Sequence, residues 1–190
     1  MFNRNVLLSI RTINLLLLFA VIILIAECPG FCLVNSPPLP RLPIDWLRSQ
    51  CAHLPISYWP EVNRGCSKDI SGQYFAFMIM LVICGNGIFL LGFGSTRSRF
   101  SGSVFLTICS LSSIGTLTCA VIEAWYGSDL KLRLRGNVIL EYHARGWVAA
   151  SVLLFHATLI FFVDIFIQLR ISKYEFYVNP ANERGGQETN

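Results

Sequence analysis

Four apolar stretches constrain this chain more than any other feature. Each is close to the ~20 residues that a helix needs to cross a hydrocarbon core roughly 30 Å thick, and only helices or closed barrels satisfy their backbone groups there. They cover residues 14–34, centred on Leu15 to Ala26, then 74–94, 102–124 and 147–169. The last three contain neither Lys nor Arg. With 54% hydrophobic residues, 14% charged and a mean hydropathy of +0.56 over 190 residues, an ordinary soluble domain is excluded. The expected fold is all-α: a four-transmembrane-helix bundle with a disulfide-bearing outer loop and a small outer β-hairpin.

The first stretch has a rival reading. Arg4 and Arg11 ahead of an apolar run also describe a secretory signal peptide. Against cleavage, bulky Leu24 occupies the position before Ala26 where a small residue is favoured, and apolar residues resume at Phe31 to Val34. A retained helix is the expectation, and cleavage would leave three spans.

Orientation follows from the loop cations. The amino-terminal segment 1–13 carries Arg4 and Arg11, the short connection 95–101 carries Arg97 and Arg99, and the tail 170–190 opens with Arg170 and Lys173. None of the first two contains an acid, so all three segments are expected in the cytoplasm. Segments 35–73 and 125–146 mix their bases with Asp45, Glu61, Asp69, Asp129 and Glu141, and are expected outside. Trp125, Tyr126 and Trp147 would sit at the outer interface, where amphipathic rings prefer the headgroups. The net charge of +4 is spread over both sides. Nucleic-acid binding needs one basic face, so that class is excluded.

The seven cysteines sort by compartment: Cys28, Cys32, Cys51 and Cys66 near the outside, and Cys84, Cys109 and Cys119 within spans. Four outer cysteines permit two disulfides. Cys51 with Cys66 is the first expectation, a closure of one loop that removes about 3 kcal/mol of unfolded-chain entropy. Cys28 and Cys32 share a helical face and bond to each other only if the helix end unwinds, for which Pro29-Gly30 supplies a break; the alternative is two small apolar residues. A redox enzyme is disfavoured, because no Cys-x-x-Cys pair is present to hold two thiols in exchange range. No catalytic centre, metal site or cofactor is expected.

The first outer segment is rich in proline and carries Trp46, Tyr58 and Trp59 as candidate partner contacts. Prolines favour extended backbone, and a short helix fits Ile44 to Ala52. In the second, Leu130-Lys131-Leu132-Arg133-Leu134-Arg135 alternates strictly, Gly136-Asn137 supplies turn chemistry, and Val138 to Tyr142 resumes strand-forming residues. This reads as a hairpin whose Lys131, Arg133 and Arg135 either meet an acidic partner or stay solvated, with its leucine face packed on the first loop. No Asn-x-Ser/Thr acceptor occurs, and Tyr177 to Asn190 reads as disordered.

Within the spans, Ser112, Thr116, Ala120 and Ala124, and Gly85, Gly87, Gly92 and Gly94, are small residues that allow close helix approach. Asn86, Ser112, His156 and Asp164 form a candidate intramembrane polar cluster, read as glue between helices rather than a proton path. His156 and Asp164 are about 12 Å apart along one helix, too far to pair. Glu123, near the outer end of the third stretch, is expected in an ion pair with hairpin bases or His143.

The span order, the very short connection Ser95 to Ser101, and the run Ala149-Ala150-Ser151-Val152-Leu153-Leu154-Phe155-His156-Ala157 continuing to Asp164 and Arg170 resemble four-pass tetraspan proteins of the MARVEL and claudin or peripheral-myelin-protein-like groups. Trp46, Cys51 and Cys66 echo the claudin tryptophan and cysteines, although the Gly-Leu-Trp before them is missing, as is the tetraspanin Cys-Cys-Gly. The resemblance implies a non-enzymatic protein of the plasma membrane or of vesicles. Its implied role is cell–cell contact, adhesion or membrane organisation of the junction or gamete-surface type, with a membrane-protein partner in the same or an apposed membrane, or a second copy of itself. The alternative is an accessory or chaperone subunit that carries a partner to the surface; a channel or transporter ranks third.

Overall fold

The computed structural model describes residues 4–34, 51–53, 55–60, 70–95, 102–128, 130–134 and 138–178. Four long helices dominate it: α1 (Arg4–Glu27), α2 (Ser71–Ser95), α3 (Gly102–Ser128) and α4 (Arg145–Val178). Each holds a segment long and apolar enough to cross a bilayer, namely Val6–Glu27, Ser71–Gly92, Ser103–Ser128 and Arg145–Arg170. The chain is therefore a multi-pass membrane protein, its helices satisfying their own backbone groups.

The helices pack in a ring in which α1 and α3 each touch α2 and α4. Large apolar side chains point away from the ring: Leu16, Ile23, Val82, Ile114 and Leu159 are all exposed and face lipid. Small and weakly polar residues line the inside, with Ala76, Ala120, Ala150, Ala157, Ser112 and Thr116 buried. Lipid tails are as apolar as leucine, so close approach through small side chains takes over the role that hydrophobic burial plays in water. Of the expected glycine contacts, Gly87 faces Leu15 closely, but a Cβ on Gly85 or Gly92 would meet nothing within 4 Å.

At one end of the ring sits a four-stranded antiparallel sheet of β1 (Phe31–Val34), β2 (Cys51–Ala52), β3 (Leu130–Leu134) and β4 (Val138–Ala144), in the order β2-β1-β4-β3. The β1–β4 pairing ties the end of α1 to the start of α4. After Glu27 the chain turns sharply through Cys28, at φ 37°, and Gly30, at φ 78°, a left-handed conformation that glycine adopts without strain. The Arg145 N–H then donates to the Gly30 carbonyl at 3.4 Å. Across this corner Gly146 lies so near Pro29 that a Cβ would be 2.6 Å from the proline Cδ.

Three sequence expectations shift. The first helix begins at Arg4 and ends at Glu27, instead of spanning 14–34, because Pro29-Gly30 breaks it and Phe31–Val34 finds a strand partner. Cys51 and Ala52 belong to β2 and not to a helix. Tyr177 still lies in α4; residues 179–190, like 44–50, lie outside the described residues.

Candidate functional site

The polar groups inside the ring fall into tiers. The one farthest from the sheet is built on Arg11 of α1, five residues into its span, and Asp164 of α4, six residues before Arg170. At a rise of ~1.5 Å per residue both lie roughly 8–9 Å inside the same end. Arg11 Nε donates to Asp164 Oδ2 at 2.9 Å and Nη2 to Oδ1 at 3.1 Å, a two-pronged pair whose side chains are almost wholly buried. Arg11 Nη1 donates to the Leu90 carbonyl of α2 at 3.1 Å. Gln168 donates to Asp164 Oδ1 at 2.9 Å, and the α3 thiol of Cys109 lies 3.6 Å from Oδ2. The Phe105 ring of α3 stands 5.8 Å from the guanidinium. One ion pair thus touches all four helices. Beside it is a cavity of about 10 Å³, room for about one water, lined by Arg11, Asn14 and Asp164 among others. Asn14 Oδ1 is buried and has no hydrogen-bond partner among the described residues.

The middle tier joins helices in pairs. Asn86 donates to Ser112 Oγ at 3.2 Å, and Thr158 Oγ1 to Thr116 Oγ1 at 2.9 Å. The expected cluster is therefore divided: Asn86 meets Ser112, Asp164 meets Arg11, and His156 joins neither. His156 is exposed on the lipid face, its Nδ1 2.8 Å from the Val152 carbonyl of its own helix. The eight-residue separation from Asp164 sets the two only about 80° apart around α4, yet His156 is exposed and Asp164 is buried inside the ring.

Beneath the sheet is an aromatic tier. Trp59, which follows a 3-10 turn at Ile56–Tyr58, is fully buried, with its ring centroid 5.0 Å from Tyr74 and 6.0 Å from Trp147, both edge-on. As a partner contact Trp59 is corrected: it plugs the ring. Trp147 is also fully buried, not interfacial, and donates from Nε1 to the Ile25 carbonyl at 3.2 Å. Trp125 alone of these faces outward. Glu123 is buried opposite Gln73, whose amide, with its nitrogen toward the acid, donates to Oε1 at 2.9 Å. An ion pair for Glu123 is not found among the described residues, because the carboxyl points into the ring.

Cys28 is a buried free thiol, so the Cys28–Cys32 bond is corrected too. Desolvation by burial pushes that thiol up to about 12. Cys66, Trp46 and Arg135 lie outside the described residues, and of Tyr58 the structure places only the backbone.

The register of the sheet separates its residues. Phe31, Leu33, Ala52, Leu130, Leu132, Leu134, Val138, Leu140, Tyr142 and Ala144 stand on one face, and Cys32, Val34, Cys51, Lys131, Arg133, Ile139, Glu141 and His143 on the other. Lys131 is opposite Glu141, whereas Arg133 is opposite Ile139. β3 forms one edge of the sheet.

Sequence reasoning takes Arg11 for a charge that sets topology and misses its role. A signal was available, since Asp164 in an apolar span requires a cation and Arg11 is a base of matching depth. Among the described residues no group of three His, Cys, Asp or Glu is placed to hold a metal ion. Comparisons with protein-family models, curated proteins and solved structures return no match.

Proposed function

We propose that this is a non-enzymatic four-pass protein of the plasma membrane that acts in cell–cell contact, adhesion or membrane organisation, with the sheet outside and both termini in the cytoplasm. The observation that supports this reading best is the union of both loops in one sheet. β1 comes from the first loop, β3 and β4 from the second, and the sheet is anchored directly to the ends of α1 and α4. Such anchoring holds a recognition surface rigid, which lowers the ordering cost of association. β3 forms an edge of the sheet with Arg133 opposite Ile139 in register, and Arg133 is the basic residue we assign to contact with an acidic surface. The interior favours scaffolding over conduction: the buried polar groups bond to one another across helices, as in packing glue.

The test is an aggregation assay with non-adherent cells expressing the chain at matched surface level. Wild-type protein is expected to cluster cells, and Arg133→Glu to abolish clustering with its surface level unchanged. Unchanged clustering, together with loss of a particular membrane protein from the surface when the chain is deleted, would establish the accessory-subunit reading instead.

A further inference from the structure

Cys32 and Cys51 are direct cross-strand partners in the β1–β2 ladder. We infer that these two cysteines form a disulfide that fastens the far end of the first loop to the sheet. The inference rests on the proposed external placement of the sheet. Opposed residues in an antiparallel pair have Cα atoms about 4.5 or 5.5 Å apart, and a disulfide requires roughly 4.4–6.8 Å. Either kind of pair therefore meets the distance without movement of the backbone, and partners in register share a face of the sheet.

The competing thiols narrow the choice. Cys28 is enclosed in the ring as a free thiol, and Cys84, Cys109 and Cys119 are free thiols within α2 and α3. Cys32 is left with Cys51 or Cys66. Of these, Cys51 is the one that the sheet delivers to it. The bridge also accounts for β2, which has only two residues in register with β1. A ladder that short is marginal without a covalent tie. Pairing Cys32 with Cys51 excludes the Cys51–Cys66 bridge expected from the sequence and leaves Cys66 as a thiol. In forming the bond, two S–H bonds give one S–S bond and two protons. The two electrons pass by exchange to a protein disulfide of the oxidising compartment, which is reduced to two thiols.

Full-length protein from cells is blocked with a thiol reagent without reduction and digested with trypsin, then chymotrypsin. Trypsin cleaves at Arg41, Arg48, Arg64 and Lys68, so Cys32, Cys51 and Cys66 fall on separate peptides, and cleavage after Phe31 parts Cys28 from Cys32. The expected product is the peptide 32–41 linked to 49–58, since chymotrypsin also cuts after Tyr58, with Cys66 blocked. A link between 49–58 and 65–68, or blocked Cys32, overturns the inference. Labelling of intact cells with a membrane-impermeant maleimide keeps the two failures apart. Cys66 is expected to label directly, and Cys32 and Cys51 only after mild reduction. Labelling of Cys32 without reduction leaves the placement standing but defeats the bridge. Labelling only after the membrane is opened defeats the placement, and the bridge with it.

Discussion

Replacing Asp164 by leucine strands the Arg11 guanidinium among four helices. It removes both prongs of the pair, at 2.9 and 3.1 Å, and the acceptor of Gln168. Three interhelical or intrahelical hydrogen bonds at the ~0.6 kcal/mol typical of membrane bundles amount to about 2 kcal/mol. An unpaired arginine at depth adds about 2.5–3.5 kcal/mol, less whatever it recovers by reaching toward headgroups. A total of about 3–5 kcal/mol matches the general cost of breaking a buried ion pair from one side, and corresponds to roughly a hundredfold to several-thousandfold loss in folding equilibrium. Arg11→Met should cost a similar amount, because it leaves the carboxylate unpaired. The double variant should return close to wild type, since removal of both charges removes the desolvation penalty with the attraction. The assay is unfolding in mixed micelles with a denaturing detergent, followed by the fluorescence of buried Trp59 and Trp147. The reasoning is refuted if Asp164→Leu lies within about 0.5 kcal/mol of wild type, or if the two single effects simply add in the double variant. An Arg11 variant with no effect while Asp164→Leu is costly would show that α1 is absent from the mature bundle, as cleavage of a signal peptide would make it.

Trp59→Ala should destabilise by about 3–5 kcal/mol through the cavity it leaves, measured in the same unfolding titration; a silent substitution would mean the ring is closed by something else. Gly146→Ala sets a Cβ against Pro29 and the Cys28 backbone at 2.6–3.0 Å, where neither neighbour yields easily, and should cost about 1–3 kcal/mol, seen as a lowered thermal midpoint. His156→Leu, on the lipid face, should leave stability unchanged, which separates it from the Asp164 variant eight residues on. The Cys28 thiol, pushed up to about 12 by burial, should react with maleimide at pH 8 roughly a thousandfold more slowly than an exposed thiol, until the protein is unfolded; prompt labelling of Cys28 in the native state would contradict its burial.

The spans could be read from the sequence alone because solvation by lipid acts residue by residue: twenty apolar residues cross a bilayer whatever they pack against. The strand at Leu130–Leu134 is legible for the same local reason, an alternation of apolar and basic residues over a short run. Tertiary structure decides what depends on which elements meet. Arg11 belongs to the bundle only because α1 places it at the depth of Asp164, and without that partner the same arginine would read as a charge flanking an apolar span that begins after it. Trp59 and Trp147 look like contact or interfacial residues by type and loop position, yet the ring closes over both. The pairing of β1 with β4 joins segments more than a hundred residues apart, so no local pattern announces it. On its other side β1 pairs with β2, which sets Cys32 opposite Cys51, while Cys28, four residues before Cys32, is enclosed inside the protein beyond its reach.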